Sequence, residues 1–292
     1  MKLSLRIPVF LLLAAVGFAG EPTAAAVPPG PSAGDWRYVE LRRFPAPEAR
    51  QGVAADDHYL YVISNHELGK YRKDTGERVA GWECEAGQPL VHLNAGIVYR
   101  GVLYCAHSNF PGVPMISSVE SWDPATMKHI GTHSFGRTDG SLTWIDRYKA
   151  GWVACFVHYG RQGGEPGRGP EWTRLVEFDN EWRQIGGWVF PAGLIAKLGG
   201  QGFSISGGAF GPSGHLYVTG HDDPALHVLA IPDGGPTLEW IATIPMSAQG
   251  QAFSWDQREP GLLYTLSKQA REVIVGRLVK AETSATRGPA AR

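Results

Sequence analysis

The stretch "GHLYVTGHDD" (residues 214–223) contains a short apolar run that stops at one imidazole and two carboxylates, His221, Asp222 and Asp223. A run with aromatic and β-branched residues, bounded by glycines, indicates a β-strand. Four other stretches have the same form: "LYVISNHE" from Leu60, "LYCAHSNF" from Leu103, "WVACFVHYG" from Trp152 and "LYTLSKQA" from Leu263. The chain therefore contains five copies of one structural unit.

Each of these strands follows a run of small residues that indicates the start of a preceding strand. The runs are "QGVA", "NAGI", "GSLT", "SGGA" and "QGQA", beginning at residues 51, 94, 140, 206 and 249. Most of the intervals are somewhat longer than forty residues, which is typical of a four-stranded propeller blade. Third strands such as "TRLVEFD" end in Asp, which favours turns, and fourth strands such as "RVAGWEC" follow them.

The fifth unit has no fourth strand after its third, but the N-terminal stretch "YVELRRFP" (38–45) has the form of one. Closing the ring with this strand would leave no open sheet edge. The sequence therefore predicts an all-β fold, a five-bladed β-propeller whose ring is closed by an N-terminal strand in the last blade. The alternative is an open β-sandwich of similar length.

Length and composition set the boundaries of this domain. The chain has 292 residues, a net charge of −1 and 19% charged residues, with no basic run that would indicate nucleic-acid binding. A short positive region and an apolar run too short to span a bilayer predict a signal peptide over 1–20. We expect a disordered linker over 21–35, one propeller domain over 36–280, and a disordered tail over 281–292. The protein is thus expected to be periplasmic or secreted, without a stable membrane span, and monomeric.

Three cysteines are too few for a disulfide framework. Cys105 and Cys155 lie in apolar strand runs, where buried thiols behave as small hydrophobic side chains. We expect both of them to be free.

The first strand of a blade starts, and the second ends, at the same end of the central channel, so candidate site residues gather there. His158 and His221 are the candidate catalytic residues. The candidate substrate-binding residues are Lys268, Asn65, His107, Asn94, Gln51, Gln249 and Trp144. The aromatic residues Phe110, Trp172, Phe203 and Trp255 are further candidates for the walls. The long loops 108–117, 159–172 and 191–206 are expected at this end as well.

These residue types indicate a polar, cationic mouth that binds a small anionic molecule. His158 or His221 could transfer a proton near pH 7, while Lys268 and Arg50 hold a carboxylate. Lys268 would lower the imidazole pKa values by like-charge repulsion. We expect no cofactor; a divalent metal held by these histidines and Asp222 is the alternative. The structural alternative is that the histidines are solvated and Asp222-Asp223 forms only a turn.

The stretches "NAGIVYRGVLYCAHSNFPGVPM" and "GGEPGRGPEWTRLVEFD" resemble a family of secreted bacterial β-propeller proteins labelled cycloisomerase-like. The architecture is also similar to that of the five-bladed glutamine cyclotransferases. The first resemblance implies an isomerase of the cyclase or lactonising type, and neither resemblance assigns roles to particular residues. The competing interpretation is a non-catalytic propeller that binds a ligand or a protein.

Overall fold

The structure of this chain is a computed structural model that describes residues 34, 36–137, 140–211 and 213–280. The predicted signal peptide, the predicted linker apart from Gly34, and the predicted tail lie outside the described residues. The described chain forms five four-stranded antiparallel sheets arranged as a ring of blades.

The strands follow one another in chain order from the channel outward in every blade except the last. The N-terminal strand is β1 (Trp36–Pro45). Blade 1 contains β2 (Gly52–Ala55), β3 (Tyr59–Ile63), β4 (Glu67–Arg72) and β5 (Arg78–Glu83). Blade 2 contains β6 (Leu93–Tyr99), β7 (Val102–Ser108), β8 (Ser117–Asp123) and β9 (Lys128–Gly136). Blade 3 contains β10 (Ser141–Tyr148), β11 (Gly151–Val157), β12 (Arg174–Phe178) and β13 (Gln184–Val189). Blade 4 contains β14 (Gly207–Phe210), β15 (Leu216–Thr219), β16 (Ala225–Ala230) and β17 (Glu239–Pro245).

The last blade joins the two ends of the fold. Blade 5 contains β18 (Ser254–Trp255), β19 (Leu262–Ser267) and β20 (Glu272–Lys280), with β1 as its outermost strand. The strands β1 and β20 pair antiparallel from Trp36 opposite Lys280 to Pro45 opposite Glu272. The predictions of a five-bladed propeller and of its closure by the N-terminal strand are therefore confirmed.

Apolar side chains from adjacent blades hold the ring together. Because alternate residues of a strand face opposite sides of its sheet, each blade packs against both of its neighbours. In β7, Cys105 packs towards blade 1 and Ala106 towards blade 3. The fully buried Trp122 fills the interface of blades 1 and 2, and Trp144 fills that of blades 3 and 4. Burying a large apolar side chain stabilises the fold by roughly 1.5–3 kcal/mol.

The Asp residues that end the third strands form the turns expected of them. Asp123 Oδ1 accepts a hydrogen bond from the backbone N–H of Ala125 at 2.9 Å. Asp179 Oδ1 accepts bonds from the backbone N–H groups of Glu181 and Arg183, both at 2.9 Å. These bonds replace the backbone pairing that is lost where a strand reverses. These short turns lie at one end of the blades, and the longer loops lie at the other end.

Helical structure is minor and lies in two of the long loops. One α-helix, α1 (Ala192–Gly199), follows β13, and a 3₁₀ turn (Pro170–Trp172) precedes β12. No helix among the described residues combines the length and the hydropathy needed to cross a bilayer. All three cysteines are free thiols, and Cys105 and Cys155 are buried in different blade interfaces. Burial raises the pKa of both buried thiols well above the usual range.

The central channel is constricted at the end away from the long loops. The side-chain amide of Gln257 donates hydrogen bonds to the carbonyl oxygens of Ala55 at 2.8 Å and Val98 at 3.2 Å. A small cavity of about 160 Å³ lies in the channel at this end. It is lined in part by Asp146, whose pKa is raised to about 7 by burial although two backbone N–H groups bond to it. A larger cavity lies at the opposite, loop-rich end.

Candidate functional site

A cavity of about 560 Å³ lies at the channel mouth, where strand starts, strand ends and the three long loops meet. Its volume falls within the range usual for small-molecule sites. The described residues that line it are Arg50, Gln51, Asn65, Val91, His92, Asn94, Asn109, Phe110, Pro111, Thr143, Tyr159, Gln162, Phe203, Ser206, His221, Gln251 and Lys268. All five blades or their connecting loops contribute to it.

Hydrogen bonds between blades hold the floor of the cavity. The side-chain amide of Asn94 in blade 2 donates to the carbonyl of Leu142 in blade 3 at 3.2 Å. The backbone N–H of Ala252 donates to the carbonyl of Gln51 at 3.0 Å, which joins blade 5 to blade 1. The Gln51 side chain in turn donates to Asn65 Oδ1 at 2.6 Å. These contacts order the strand starts before any ligand binds.

Two cationic side chains lie on the wall formed by blades 5 and 1. Lys268 follows β19 directly, and Arg50 lies two residues before β2, the first strand of blade 1. Neither forms an ion pair with a carboxylate of the described residues. Burial lowers the pKa of Lys268, and the nearby Arg50 and Arg271 lower it further against the opposing effect of Asp222. Their positive charge is therefore incompletely neutralised by the protein.

His221 lies in the loop that follows β15, the second strand of blade 4, and its ring is held by contacts on two sides. Its Nδ1 is 2.6 Å from Asp222 Oδ2, and its ring stacks on Phe203 with centroids 4.0 Å apart. Burial lowers its pKa; Asp222 opposes this shift, whereas Lys268 contributes to it. In the neutral ring Nδ1 donates to Asp222, so Nε2 is left as a proton acceptor. The sequence argument ascribed the lowered pKa to Lys268, but burial is the larger cause.

His92 is a lining residue that the sequence argument missed. It directly precedes β6, two residues before Asn94, and both side chains line the cavity. Its ring contacts Phe110 at 4.9 Å between centroids. Burial lowers its pKa to about 4, and like charge on His107, Lys268 and His221 acts in the same direction. His92 is therefore a neutral imidazole at pH 7.

We expect the depressed pKa of His92 to make the protein sensitive to acid. The unfolded chain binds a proton on this imidazole near pH 6.5 and the folded protein only near pH 4, so the free energy of unfolding falls as the pH is lowered through this window. The contribution of this group is on the order of 2 kcal/mol. Denaturant unfolding between pH 7 and pH 4 should show a shallower fall for His92→Gln than for the wild type. The exposed His58→Gln is the control, and equal slopes for wild type and His92→Gln would contradict the prediction.

The predicted site residues divide into two groups by position. Those that line the cavity are His221, Lys268, Asn65, Asn94 and Gln51, together with Arg50, Phe110 and Phe203. His158, His107, Trp144 and Gln249 do not line it, and neither do Trp172 and Trp255. Local features of the backbone explain why these predicted residues do not line the cavity.

His158 is displaced by the alternation of side chains along the strand. It is buried beyond the end of β11, where its backbone N–H donates to Thr173 Oγ1 at 3.3 Å. The next residue, Tyr159, faces the cavity instead, and burial raises its pKa to about 12. A shift of one residue exchanges the two faces of a strand. The recurrence of His158 and His221 at matching sequence positions thus did not place them in one cavity.

His107 faces the interface between blades 1 and 2. Its Nδ1 lies 2.8 Å from Ser118 Oγ, and Ser118 donates to the buried carboxylate of Glu120 at 2.6 Å. Burial lowers the pKa of His107, while Glu120 opposes the shift. This histidine belongs to a polar network within blade 2.

Trp144 and Gln249 are displaced by backbone irregularities. The register of β10 against β11 shifts between Leu142 and Trp144, so Thr143 lines the cavity while Trp144 enters the core. Gly250 and Gln251 both have positive φ, 63° and 65°. This turn leaves Gln249 exposed and directs Gln251 into the cavity, where its amide donates to the carbonyl of His221 at 3.1 Å. The sequence feature that indicated this lining residue is the second glutamine of "QGQA", which is Gln251.

The described His, Cys, Asp and Glu side chains are of the types that coordinate metal ions in proteins. Within the described part of the chain, no group of three or more His, Cys, Asp or Glu side chains is arranged to hold a metal ion. The described lining of the cavity contains two imidazoles and neither Asp nor Glu. Asp222, suggested as a ligand, is bonded to His221 instead.

The fold and the cavity define the chain as a five-bladed β-propeller with a pocket of small-molecule size at one end of its channel. No protein-family model matches the sequence, and no curated protein matches it either. The structure is similar to that of a luciferin-regenerating enzyme, with a TM-score of 0.53 and 11% identity over 84% of this chain and 97% of that one. It is also similar to the WD40 β-propeller domain of Doa1 (TM-score 0.41, 10% identity, 77% of each chain). A protein of unknown function from Bacteroides caccae matches with a TM-score of 0.40 and 12% identity over 72% of this chain and 65% of that one. The similarity to the luciferin-regenerating enzyme shows the propeller fold alone.

Proposed function

We propose that the channel mouth binds a small organic anion and that His221 transfers a proton to or from it, as in an isomerase of the cyclase or lactonising type. One observation carries the proposal: the described lining holds two cations and two imidazoles and no carboxylate. Such a lining repels metal cations and amines and favours carboxylates.

Lys268 and Arg50 are suited to hold the carboxylate. Charge-assisted hydrogen bonds from ammonium and guanidinium groups to carboxylates are stronger than neutral ones. A bound anion would also relieve the repulsion that contributes to the lowered pKa of Lys268. Binding of the anion and protonation of Lys268 are therefore mutually favourable.

His221 is suited to general acid–base catalysis. Its contact with Asp222 orients the ring, and Nε2 has no hydrogen-bond partner among the described residues. In lactone opening, neutral Nε2 removes a proton from the carbon next to the one bearing the ring oxygen. The electron pair of that C–H bond forms a carbon–carbon double bond, and the C–O bond breaks to release a carboxylate. Cyclisation is the reverse, with the protonated ring returning the proton to carbon.

A non-catalytic binding propeller is the second candidate. It is favoured by the six amide side chains of the lining, which can orient a polar ligand but do not transfer protons: Gln51, Asn65, Asn94, Asn109, Gln162 and Gln251. The two candidates predict the same ligand charge and differ only in the fate of the ligand after it binds.

Calorimetric titration with a panel of small carboxylates tests the anion site. We expect Lys268→Met to weaken binding of the best carboxylate at least tenfold, because one of two cations is lost. Gln249→Ala, at the exposed neighbouring position on the same rim, should bind as the wild type does. Equal binding by the wild type and Lys268→Met would show that the anion site lies elsewhere.

Proton NMR in D₂O separates the enzyme from the binding module. An enzyme should exchange a carbon-bound hydrogen of unsaturated acids or their lactones for deuterium, and His221→Asn should abolish the exchange while weakening binding only a few-fold. Binding without exchange or turnover by the wild type would favour the non-catalytic propeller.

We also propose that the protein acts in the periplasm or outside the cell, on the basis of the charged and apolar pattern of residues 1–20. Fractionation of cells that express the full chain, with N-terminal sequencing of the recovered protein, tests this. A cytoplasmic product that retains Met1 would contradict it.

A further inference from the structure

Five rings line one side of the cavity in an unbroken series, here called the aromatic arc: His92, Phe110, Tyr159, Phe203 and His221. The centroid distances between successive rings are 4.9 Å, 5.0 Å, 6.1 Å and 4.0 Å. Contacts of this kind are typical of aromatic pairs. The arc is therefore a continuous wall rather than a set of isolated side chains.

The arc and the cations come from different parts of the ring. The residues of the arc belong to blades 2, 3 and 4 and the loops that join them, whereas Lys268 and Arg50 belong to blade 5 and the segment leading into blade 1. Since the blades follow one another around the channel in chain order, the cationic residues close the gap between the two ends of the arc. The aromatic rings thus line the side of the cavity formed by blades 2, 3 and 4, and the positive charges lie on the side formed by blades 5 and 1.

The arc is held in place without a ligand. The Tyr159 hydroxyl donates to Ser141 Oγ at 3.1 Å. The loop of Phe203 is fixed by a hydrogen bond from the backbone N–H of Gly160 to the carbonyl of Gly202 at 3.0 Å. In the loop of Phe110, Asn109 Oδ1 accepts from the backbone N–H of Ile116 at 2.8 Å. Preorganised rings lose little conformational entropy when a ligand packs against them.

The position of His92 adds a polar contact to the arc. Neither of its ring nitrogens has a hydrogen-bond partner among the described residues, although the ring is partly buried. A neutral imidazole can donate from one nitrogen and accept at the other. It can therefore bond to a hydroxyl or carbonyl substituent on a ring that lies against Phe110.

We infer that the ligand of this cavity is a planar unsaturated ring that carries a carboxylate, as in an unsaturated lactone with a carboxylate substituent, for which benzoate is a non-reacting probe. The inference rests on the proposed function and narrows its substrate class. The carboxylate meets Lys268 and Arg50, and the flat face of the ring packs on the aromatic arc. A volume of about 560 Å³ holds one or two such rings.

Calorimetry with benzoate and cyclohexanecarboxylate tests the inference, because the two anions have equal charge and the same number of carbons. We expect the wild type to bind benzoate about tenfold more tightly. Phe203→Leu and Phe110→Leu should each reduce this preference several-fold, because they weaken benzoate binding more than cyclohexanecarboxylate binding. Trp36→Leu, an aromatic-to-aliphatic change on the outermost strand of blade 5, is the matched control.

The outcomes separate this inference from the anion site itself. If both acids bind equally and Lys268→Met weakens both, the anion site stands and the aromatic preference is overturned. If neither acid nor any other small carboxylate binds the wild type, the proposed function fails and this inference fails with it. Thermal melting of each variant beforehand excludes loss of folding as the cause, and two independent positions on the arc guard against one that does not fold.

Discussion

Removal of residues 36–45, the whole of β1, is expected to abolish cooperative folding. Nine residues of β1 pair with β20, from Trp36 opposite Lys280 to Pro45 opposite Glu272. Without them blade 5 keeps three strands and β20 becomes an open edge, which favours aggregation. Circular dichroism melting of the truncated chain should show no cooperative transition. Melting behaviour like that of the wild type would show that β1 is not required for closure.

Two point substitutions in β1 measure how much single side chains of this strand contribute to the stability of the fold. Phe44 is 8% exposed and packs in the core between blades 5 and 1, with its ring 5.9 Å from that of Tyr71. Phe44→Ala should lower the free energy of unfolding by about 3 kcal/mol. Leu41, at the register shift of β1, is 52% exposed, so Leu41→Ala should change it by less than about 0.5 kcal/mol. Similar losses for the two variants would contradict the role given to Phe44.

Glu120→Ala is expected to have the largest effect on stability of any single substitution considered for this protein. Its carboxylate is 1% exposed and accepts hydrogen bonds from Ser118 Oγ and Thr132 Oγ1, both at 2.6 Å. His129 Nε2 lies 2.8 Å from its second oxygen. The variant leaves these partners without their acceptor, and each buried hydrogen-bonding group left unsatisfied typically costs about 1–3 kcal/mol. Urea unfolding at pH 7 measures the loss.

The control for this substitution is Glu181→Ala. Glu181 is 66% exposed and pairs with Arg183, which is 73% exposed. Exposed ion pairs contribute about 0–1 kcal/mol, so this variant should unfold almost as the wild type does. A loss for Glu120→Ala no larger than that for Glu181→Ala would show that the network of blade 2 is not a major source of stability.

The fold was predictable because its signals are local and repeated. Strand runs recur in all five units and terminal Asp residues in four of them, and Asp123 and Asp179 act through hydrogen bonds within a few residues. The N-terminal strand carries the same pattern as the fourth strands, so its place beside β20 followed from counting. Errors of one or two residues in an alignment do not change such a count.

The cavity was predictable only in part, because the direction of a side chain changes with a shift of one residue. Lys268, His221, Asn65, Asn94 and Gln51 line it as their positions in the repeat suggested. Where a bulge or a turn intervenes, a neighbouring residue takes the place of the predicted one, as in blades 3 and 5. Such irregularities depend on packing between strands that are distant in sequence.

The repeat in the amino-acid sequence was thus enough to establish the number of blades, their order and the closure of the ring, since these depend on periodicity and on hydrogen bonding between successive strands. Packing of the blades around the channel was needed to establish which side chains face the cavity. It brings His92, before β6, against Phe110, after β7, and leaves Lys268 and Arg50 without carboxylate partners among the described residues. Burial also lowers the pKa values of His92 and His221. These properties arise from neighbours far away in the chain, which a periodic pattern does not encode.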